Sequence, residues 1–223
     1  MHSAKKTGDR PRILIADDHA VFAEALRLFL EKSYHVVGFV EDGRALLAKA
    51  PVLQPDLVIL DIGMPMLNGV DAARRLLQAL PKVKIVFMTM YEDANLVAAA
   101  CSLGKVGFVL KHSHPSQLLS AIEAVLKNQS FVSPRIRQAD WKEQANRARH
   151  FAAELTPRQT EIVQLLAEGR APKEIAALLN VSLKTVMFHK YHVMDIFNLK
   201  SNADVVLFAL KRGLIMPIQD PKT

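Results

Sequence analysis

Short apolar runs alternate with amphipathic segments over the first half of the chain. The runs that are apolar at successive positions are Arg12–Ala16, Val36–Phe39, Leu57–Leu60, Lys84–Met88 and Gly107–Leu110. Such runs are typical of strands in a parallel sheet that is covered on both faces. Between them, apolar residues recur at helical spacing, as Phe22, Leu26 and Phe29 do. The alternation predicts an α/β fold, with five helices around a five-stranded, parallel, doubly wound sheet.

The last third of the chain has a helical pattern throughout. A Thr-Pro-Arg-Gln sequence that begins at Thr156 has the capping residue, the proline and the glutamine of a helix start. Pro172, Ser182 and Ser201 mark three further helix starts, so we expect a small all-α domain of four helices with a helix-turn-helix. The polar, basic residues 128–151 interrupt both patterns, and they are predicted to form a partly helical linker.

The composition limits the class of protein. The chain has 223 residues, of which 50% are hydrophobic, so it can bury a core. No apolar run approaches the roughly 18 residues of a membrane-spanning helix, and the first residues lack the apolar core of a secretory signal. The single cysteine, Cys101, excludes an intrachain disulfide. We therefore expect a cytoplasmic protein that does not associate with a membrane.

The net charge of +7 is a weak guide to a polyanionic partner. Residues 128–223 carry a net charge of +5, but +3 of it lies in the predicted linker. A shorter window is more informative, because no acidic residue lies between Glu174 and Asp195, where Lys184 and Lys190 occur. This window is either a solvated basic helix face or a surface that binds nucleic acid.

Side chains suited to phosphoryl chemistry follow the predicted strands. Asp17 and Asp18 follow the first strand, Asp61 the third, Thr89 the fourth and Lys111 the fifth. Taken alone, each has an ordinary explanation, such as a helix cap or a turn. Together they lie at the carboxyl edge of a parallel sheet, where ligands bind in open α/β folds. The carboxylates suit Mg²⁺, while the hydroxyl and the amine suit a phosphoryl group carried on an aspartate.

Residues 11–127 resemble the receiver domain of bacterial two-component response regulators. The resemblance rests on Asp17-Asp-His19, Leu60-Asp-Ile-Gly-Met-Pro-Met-Leu-Asn-Gly69, Thr89 and Gly107-Phe-Val-Leu-Lys111. It implies that Asp61 accepts a phosphoryl group from a sensor histidine kinase, and that Lys111 contacts this group. It also implies that Mg²⁺ is held by Asp17, Asp18, Asp61 and the backbone carbonyl of Gly63.

The same resemblance implies a conformational switch. Thr89 and Phe108 match the paired switch positions, at which the threonine moves toward the phosphoryl group while the aromatic ring turns inward. Phe108 has no hydroxyl, so it can report the switch only by packing. Gly63 and Tyr91 match two positions that influence the access of hydrolytic water, and Gly63 contributes no side chain there.

Residues 152–216 resemble the LuxR-type helix-turn-helix domain, so the whole chain resembles a NarL/FixJ-type response regulator. The motifs that carry this resemblance are Leu155–Gln159, Lys173–Ala176, Val181–Val186 and His189. The resemblance implies that the helix from Ser182 to Phe197 enters the major groove of double-stranded DNA. The expected contacts are Lys173, Ser182, Lys184, Thr185, Val186, His189 and Lys190. The helical spacing of Val186 also suits a core residue.

The sequence departs from that family at a few positions. Ala171 stands where a capping residue is usual, and Asp195 and Ile196 stand where basic residues are usual. Residues 152–213 have a net charge of only +2. A monomer should therefore bind DNA weakly, and we expect a homodimer on paired half-sites.

These features predict a transcription factor whose dimerisation and DNA binding are controlled by phosphorylation of Asp61, rather than a turnover enzyme. One alternative is a DNA-binding regulator that does not depend on phosphorylation and uses the receiver as an interaction module. A second is an aspartate-dependent phosphatase of the haloacid dehalogenase type, but Asp17-Asp-His19 lacks the required Asp-x-Asp motif.

Overall fold

The computed structural model describes residues 10–90, 94–136 and 155–217. Its strands are β1 (Arg12–Ala16), β2 (His35–Val40), β3 (Leu57–Asp61), β4 (Lys84–Thr89), β5 (Gly107–Leu110) and β6 (Phe131–Val132). They form one parallel sheet in the order β2-β1-β3-β4-β5-β6. The order changes direction between β1 and β3, which is where ligands bind in sheets of this type.

Helices cover both faces of the sheet. They are α1 (Ala20–Leu30), α2 (Gly43–Leu53), α3 (Gly69–Ala79), α4 (Ala94–Cys101) and α5 (Pro115–Leu126). One face packs against α1 and α5 through residues such as Leu26 and Ile122. The other face packs against α2, α3 and α4 through Leu46, Leu76 and Val97. This arrangement confirms the predicted α/β class, since strands covered on both sides are apolar at successive positions.

The sheet has six strands in the described residues, whereas the sequence predicted five. The additional strand, β6, pairs in parallel with β5 and lies within residues 128–151, which the sequence assigns to the linker. Ser133 donates its N–H to the Phe108 carbonyl at 2.9 Å, and Ile136 is buried in the core. Two residues are too few for a periodic pattern, so this strand left no sign in the sequence. The predicted helical part of the linker lies outside the described residues.

The C-terminal domain consists of short helices, as the sequence predicted. They are α6 (Pro157–Ala167), α7 (Pro172–Leu178), α8 (Leu183–Ile196) and α9 (Asn202–Lys211). The hydroxyls of Thr156, Ser182 and Ser201 each accept a backbone N–H at a helix start, which confirms the three predicted caps. Ala171 supplies no cap before α7, but the carboxylate of Glu174 accepts the Ala171 N–H at 2.8 Å.

Phe87 lies in the middle of the sheet and is fully buried. We expect Phe87→Ala to lower the free energy of unfolding of the α/β domain by about 3–5 kcal/mol, because it leaves a cavity in the core. Val52 of α2 is 82% exposed, so the control Val52→Ala should change this free energy by less than about 0.5 kcal/mol. Urea denaturation followed by circular dichroism measures both, and equal effects of the two truncations would contradict the prediction.

Candidate functional site

A buried lysine joins two carboxylates at the carboxyl edge of the sheet. Lys111 follows β5, and its Nζ lies 2.8 Å from Asp17 Oδ2 and 2.9 Å from Asp61 Oδ2. Asp17 follows β1 and Asp61 ends β3, so the pairing of these two strands brings the carboxylates together. The ring of Phe22 lies under the amine, with its centre 5.0 Å from Nζ. The structure thus places three of the predicted site residues in direct contact.

The same edge carries a set of donor atoms that fits a metal ion. Oxygen or nitrogen atoms of Asp17, Asp18, His19 and Asp61 lie within 4.8 Å of one another. His19 Nδ1 is 2.8 Å from Asp18 Oδ1, and the His19 N–H donates to Asp17 Oδ1 at 2.9 Å. Three carboxylates suit Mg²⁺, which prefers oxygen ligands. His19 belongs to the Asp17-Asp-His19 motif of the sequence but was not among the predicted metal ligands.

Burial and charge act in opposite directions on the central groups. Desolvation is the largest effect on Asp61 and raises its pKa, and the positive charge of Lys111 offsets this only in part. Burial alone would lower the pKa of Lys111, but the negative charges of Asp61 and Asp17 outweigh it, and the pKa is raised. The amine therefore stays protonated and neutralises part of the carboxylate charge.

The other predicted receiver positions surround this centre. Thr89 ends β4 and is buried, and its carbonyl accepts the Lys111 N–H at 2.8 Å. The Gly63 N–H donates to Asp61 Oδ1 at 3.2 Å. Phe108 is fully buried in the core, so its ring is inward in this structure. Tyr91 lies outside the described residues.

Helix α8, which is predicted to bind DNA, leaves most of its predicted contacts accessible. Lys184 is exposed near its start, as is Lys173 on α7, while Lys190 is partly exposed. Ser182 Oγ accepts the Thr185 N–H at 3.0 Å, and the two hydroxyl oxygens are 2.9 Å apart. These hydroxyls and amines are groups that bind phosphate oxygens in protein–DNA complexes.

Two of the predicted DNA contacts need correction. Val186 is completely buried against Ile162 and Ile175, so it is a core residue and cannot reach a base edge. His189 is half-buried, and its Nδ1 is covered and has no hydrogen-bond partner among the described residues. Burial is the main cause that lowers the pKa of His189, and the charge of Arg158 adds to it. Only part of a neutral imidazole is therefore available to DNA.

Two aromatic residues of α8 were missing from the sequence predictions. Phe188 and Tyr191 are 64% and 58% exposed. The Phe188 ring stacks on His192, with 5.8 Å between the ring centres. Their position inside the acid-free window was the available indication, because it placed them beside the expected DNA contacts.

The C-terminal domain contacts the loop that follows Asp61. Gln164 in α6 is buried, and its side-chain oxygen accepts the Asn68 N–H at 2.9 Å. Its side-chain nitrogen donates to the Met64 carbonyl at 3.3 Å. Glu168, at the end of α6, accepts the Met66 N–H at 3.2 Å. The loop between β3 and α3 therefore belongs both to the acidic site and to the contact between the domains.

An ionic cluster lies at the same contact. Glu161 of α6 is almost fully buried, and its carboxylate pairs with Arg44 of α2. Its other oxygen is 3.1 Å from Arg158 of the same helix and 3.6 Å from Arg75 of α3. Arg44 also donates to the Leu178 carbonyl at 2.8 Å. Both domains thus supply arginines to one carboxylate.

Sequence reasoning missed this contact between domains. Glu161, Gln164 and Glu168 follow one another at intervals of three and four residues, which places them on one face of α6. A polar stripe on a helix of a small bundle ordinarily faces water, so the pattern did not identify its partner.

Among residues 10–90, 94–136 and 155–217, no helix is both long and apolar enough to cross a membrane.

The sequence matches two known families. Residues 13–123 match the response regulator receiver domain, and residues 153–209 match the bacterial regulatory proteins of the luxR family. The chain is 34% identical over 214 residues to the oxygen regulatory protein NreC of Staphylococcus carnosus. That alignment covers 92% of this chain and 99% of the relative.

The fold is similar to solved structures of a DNA-binding regulator. The RcsB response regulator of Salmonella typhimurium is 27% identical with a TM-score of 0.63, over 92% of this chain and 98% of that one. RcsB of Salmonella enterica serovar Typhimurium, bound to the promoter rprA with the phosphomimetic BeF3⁻, is 28% identical with a TM-score of 0.52. That match covers 89% of this chain and 97% of the RcsB chain. The chain therefore belongs to the response regulators that join a receiver domain to a LuxR-type DNA-binding domain, a family of transcription regulators rather than turnover enzymes.

Proposed function

We propose that Asp61 is the phosphoacceptor of this receiver domain and that a sensor histidine kinase is the donor. The observation that carries the proposal is the contact of Lys111 with both Asp17 and Asp61 at the carboxyl edge of the sheet. A carboxylate oxygen of Asp61 forms a bond to phosphorus as the bond between phosphorus and the kinase histidine breaks. The electron pair of the broken bond stays on the imidazole nitrogen.

The surrounding residues stabilise the charge of this transfer. Asp17, Asp18 and Asp61 would hold Mg²⁺ together with the Gly63 carbonyl, and the bound ion supplies positive charge to the phosphoryl oxygens. Lys111 is protonated and already lies at Asp61, so it can pair with a phosphoryl oxygen without a large movement. The Thr89 hydroxyl is the proposed donor to another oxygen, and its movement would change the packing around Phe108.

We further propose that phosphorylation controls the DNA-binding domain through the loop between β3 and α3. This loop begins beside Asp61, and its backbone binds Gln164 and Glu168 of α6. A rearrangement of the loop on phosphorylation would therefore weaken the hydrogen bonds that hold the output domain. The released domain is then free to pair with a second copy and bind two DNA half-sites.

DNA binding is assigned to α8, with Lys184 and Lys190 as its cationic residues and Lys173 on α7 as a further phosphate contact. The similar RcsB structure is bound to promoter DNA in the presence of a phosphomimetic. This supports the proposals that the present chain binds DNA and that phosphorylation controls its binding. Because chromosomal DNA lies in the bacterial cytoplasm, we propose that compartment for this function.

Asp61→Asn tests the phosphoacceptor. With acetyl phosphate and Mg²⁺, the wild-type protein is expected to gain one phosphoryl group, seen by intact mass or as a shifted band on a Phos-tag gel. Asp61→Asn should gain none, because an amide oxygen is not a nucleophile of comparable strength. The control Asp195→Asn removes an exposed carboxylate of α8 and should be modified as the wild type is. Modification of Asp61→Asn at the wild-type level would show that the acceptor lies elsewhere.

Asp18→Asn tests the metal site. Asp18 does not contact Lys111 in the described residues, so its loss should remove a metal ligand and leave the lysine pairs with Asp17 and Asp61 in place. Isothermal titration with MgCl₂ is expected to show an affinity at least about tenfold weaker than that of the wild type. Asp195→Asn serves again as the control. An unchanged affinity for Mg²⁺ would remove Asp18 from the ligand set.

Lys184→Ala tests the DNA-binding surface. The variant should bind a fluorescent DNA duplex of random sequence with lower affinity than the wild type. The slope of the logarithm of the association constant against the logarithm of the salt concentration should decrease in magnitude by about 1, because one phosphate contact is lost. Lys105→Ala removes an exposed lysine of the receiver domain, and it should leave this slope unchanged. Equal slopes for Lys184→Ala and the wild type would exclude Lys184 from the phosphate contacts.

A further inference from the structure

The segment that follows α9 contacts both domains. Leu214 and Ile215 pack into the apolar cluster of the output domain, around Val193. The next residue, Met216, packs instead against the core cluster of the receiver domain. We call residues 212–217 the tail. The tail thus leaves its own domain within a few residues and ends against the other.

Met216 lies beside the phosphoacceptor loop at a position that has no side chain of its own. A β-carbon built on Gly63 would be 3.1 Å from Met216 Cγ and 3.9 Å from Asp61 Oδ2. The space that a side chain at position 63 would enter, next to the Asp61 carboxylate, is therefore partly filled by the Met216 side chain. Gly63 itself holds Asp61 through its N–H, at 3.2 Å.

A second contact fixes the tail at this edge. Gly213 has a φ of +65°, and a β-carbon there would be 2.4 Å from Leu96 Cδ2. Leu96 belongs to α4 and is buried. A glycine adopts this positive φ without strain, and the lack of a β-carbon leaves room for the Leu96 side chain. The tail is therefore held against α4 at one end and against the loop of Asp61 at the other.

We propose that Met216 acts as the side chain that position 63 lacks, and that it restricts the approach of a phosphodonor to Asp61. Met216 is then a positioning residue that the output domain supplies to the phosphorylation site of the receiver. The inference rests on the proposed phosphorylation of Asp61. It adds that the docked output domain lowers the rate of that reaction by filling space, independently of the hydrogen bonds of α6.

Full-length variants test this role through the initial rate of phosphorylation by acetyl phosphate with Mg²⁺. Met216→Ala should raise the rate about three- to tenfold, which corresponds to a barrier lower by no more than about 1.4 kcal/mol. Leu207→Ala is the matched control, since it truncates a half-exposed apolar residue of the same domain. It should react at the wild-type rate.

A compensating substitution separates shielding from simple loosening of the interface. In the Met216→Ala background, Gly63→Met places a side chain of the same kind next to Asp61 and should return the rate to near that of the wild type. If the tail only stabilises docking, the double variant should be phosphorylated as fast as Met216→Ala. This result would overturn the inference. An unchanged rate for Met216→Ala would also overturn it. If the wild-type protein is not phosphorylated at all, the proposed phosphoacceptor function itself fails.

Discussion

The pairing of one buried ammonium group with two carboxylates organises the receiver domain. Lys111 reaches Asp17 and Asp61 from the end of β5, while the two aspartates lie at the ends of adjacent strands. The negative charges of these two buried carboxylates would repel each other without a cation between them. The lysine stabilises this arrangement, and it keeps a positive charge where the proposed function requires the phosphoryl oxygens to bind. The same residue thus stabilises the folded site and would also take part in the proposed reaction.

The loop after Asp61 gives this centre its influence over the rest of the molecule. Its backbone N–H groups bind Asp61 at Gly63, Glu168 at Met66 and Gln164 at Asn68. The docking of α6 therefore depends on the path of the loop. Two loop side chains contribute as well, since Asn68 Nδ2 donates to Gln164 Oε1 at 3.3 Å and Met66 packs against the apolar cluster around Ile162. In the proposed mechanism, a change of the loop's path at Gly63 would alter its hydrogen bonds with Glu168 and Gln164. The carboxylate of Glu161 adds a charged contact with two receiver arginines, and this contact has no direct connection to Asp61.

The features that were predicted correctly are those that depend on residues close together in the sequence. The five longer strands, the caps at Thr156, Ser182 and Ser201 and the residues at the strand ends all follow from rules that act over a few positions. The strand β6 was missed because two residues carry no period, and Val186 was assigned to DNA although its spacing also suited the core. The contacts of Glu161 and Gln164 could not be predicted, since they join residues about a hundred positions apart. The local pattern of α6 does not show which surface it meets.

The position of the docked domain restricts the ways in which phosphorylation can act. Lys184, Phe188 and Tyr191 of α8 remain exposed while α6 is bound to the receiver. The receiver therefore does not inhibit DNA binding by burying these residues. What docking does fix is the orientation of one output domain relative to its own receiver. Two output domains on paired half-sites must adopt the symmetry of the DNA site, and a domain held by α6 and the tail cannot rotate freely to meet it. Under the proposed function, phosphorylation would control this rotational freedom, and release from the loop of Asp61 would be the step that couples the two domains.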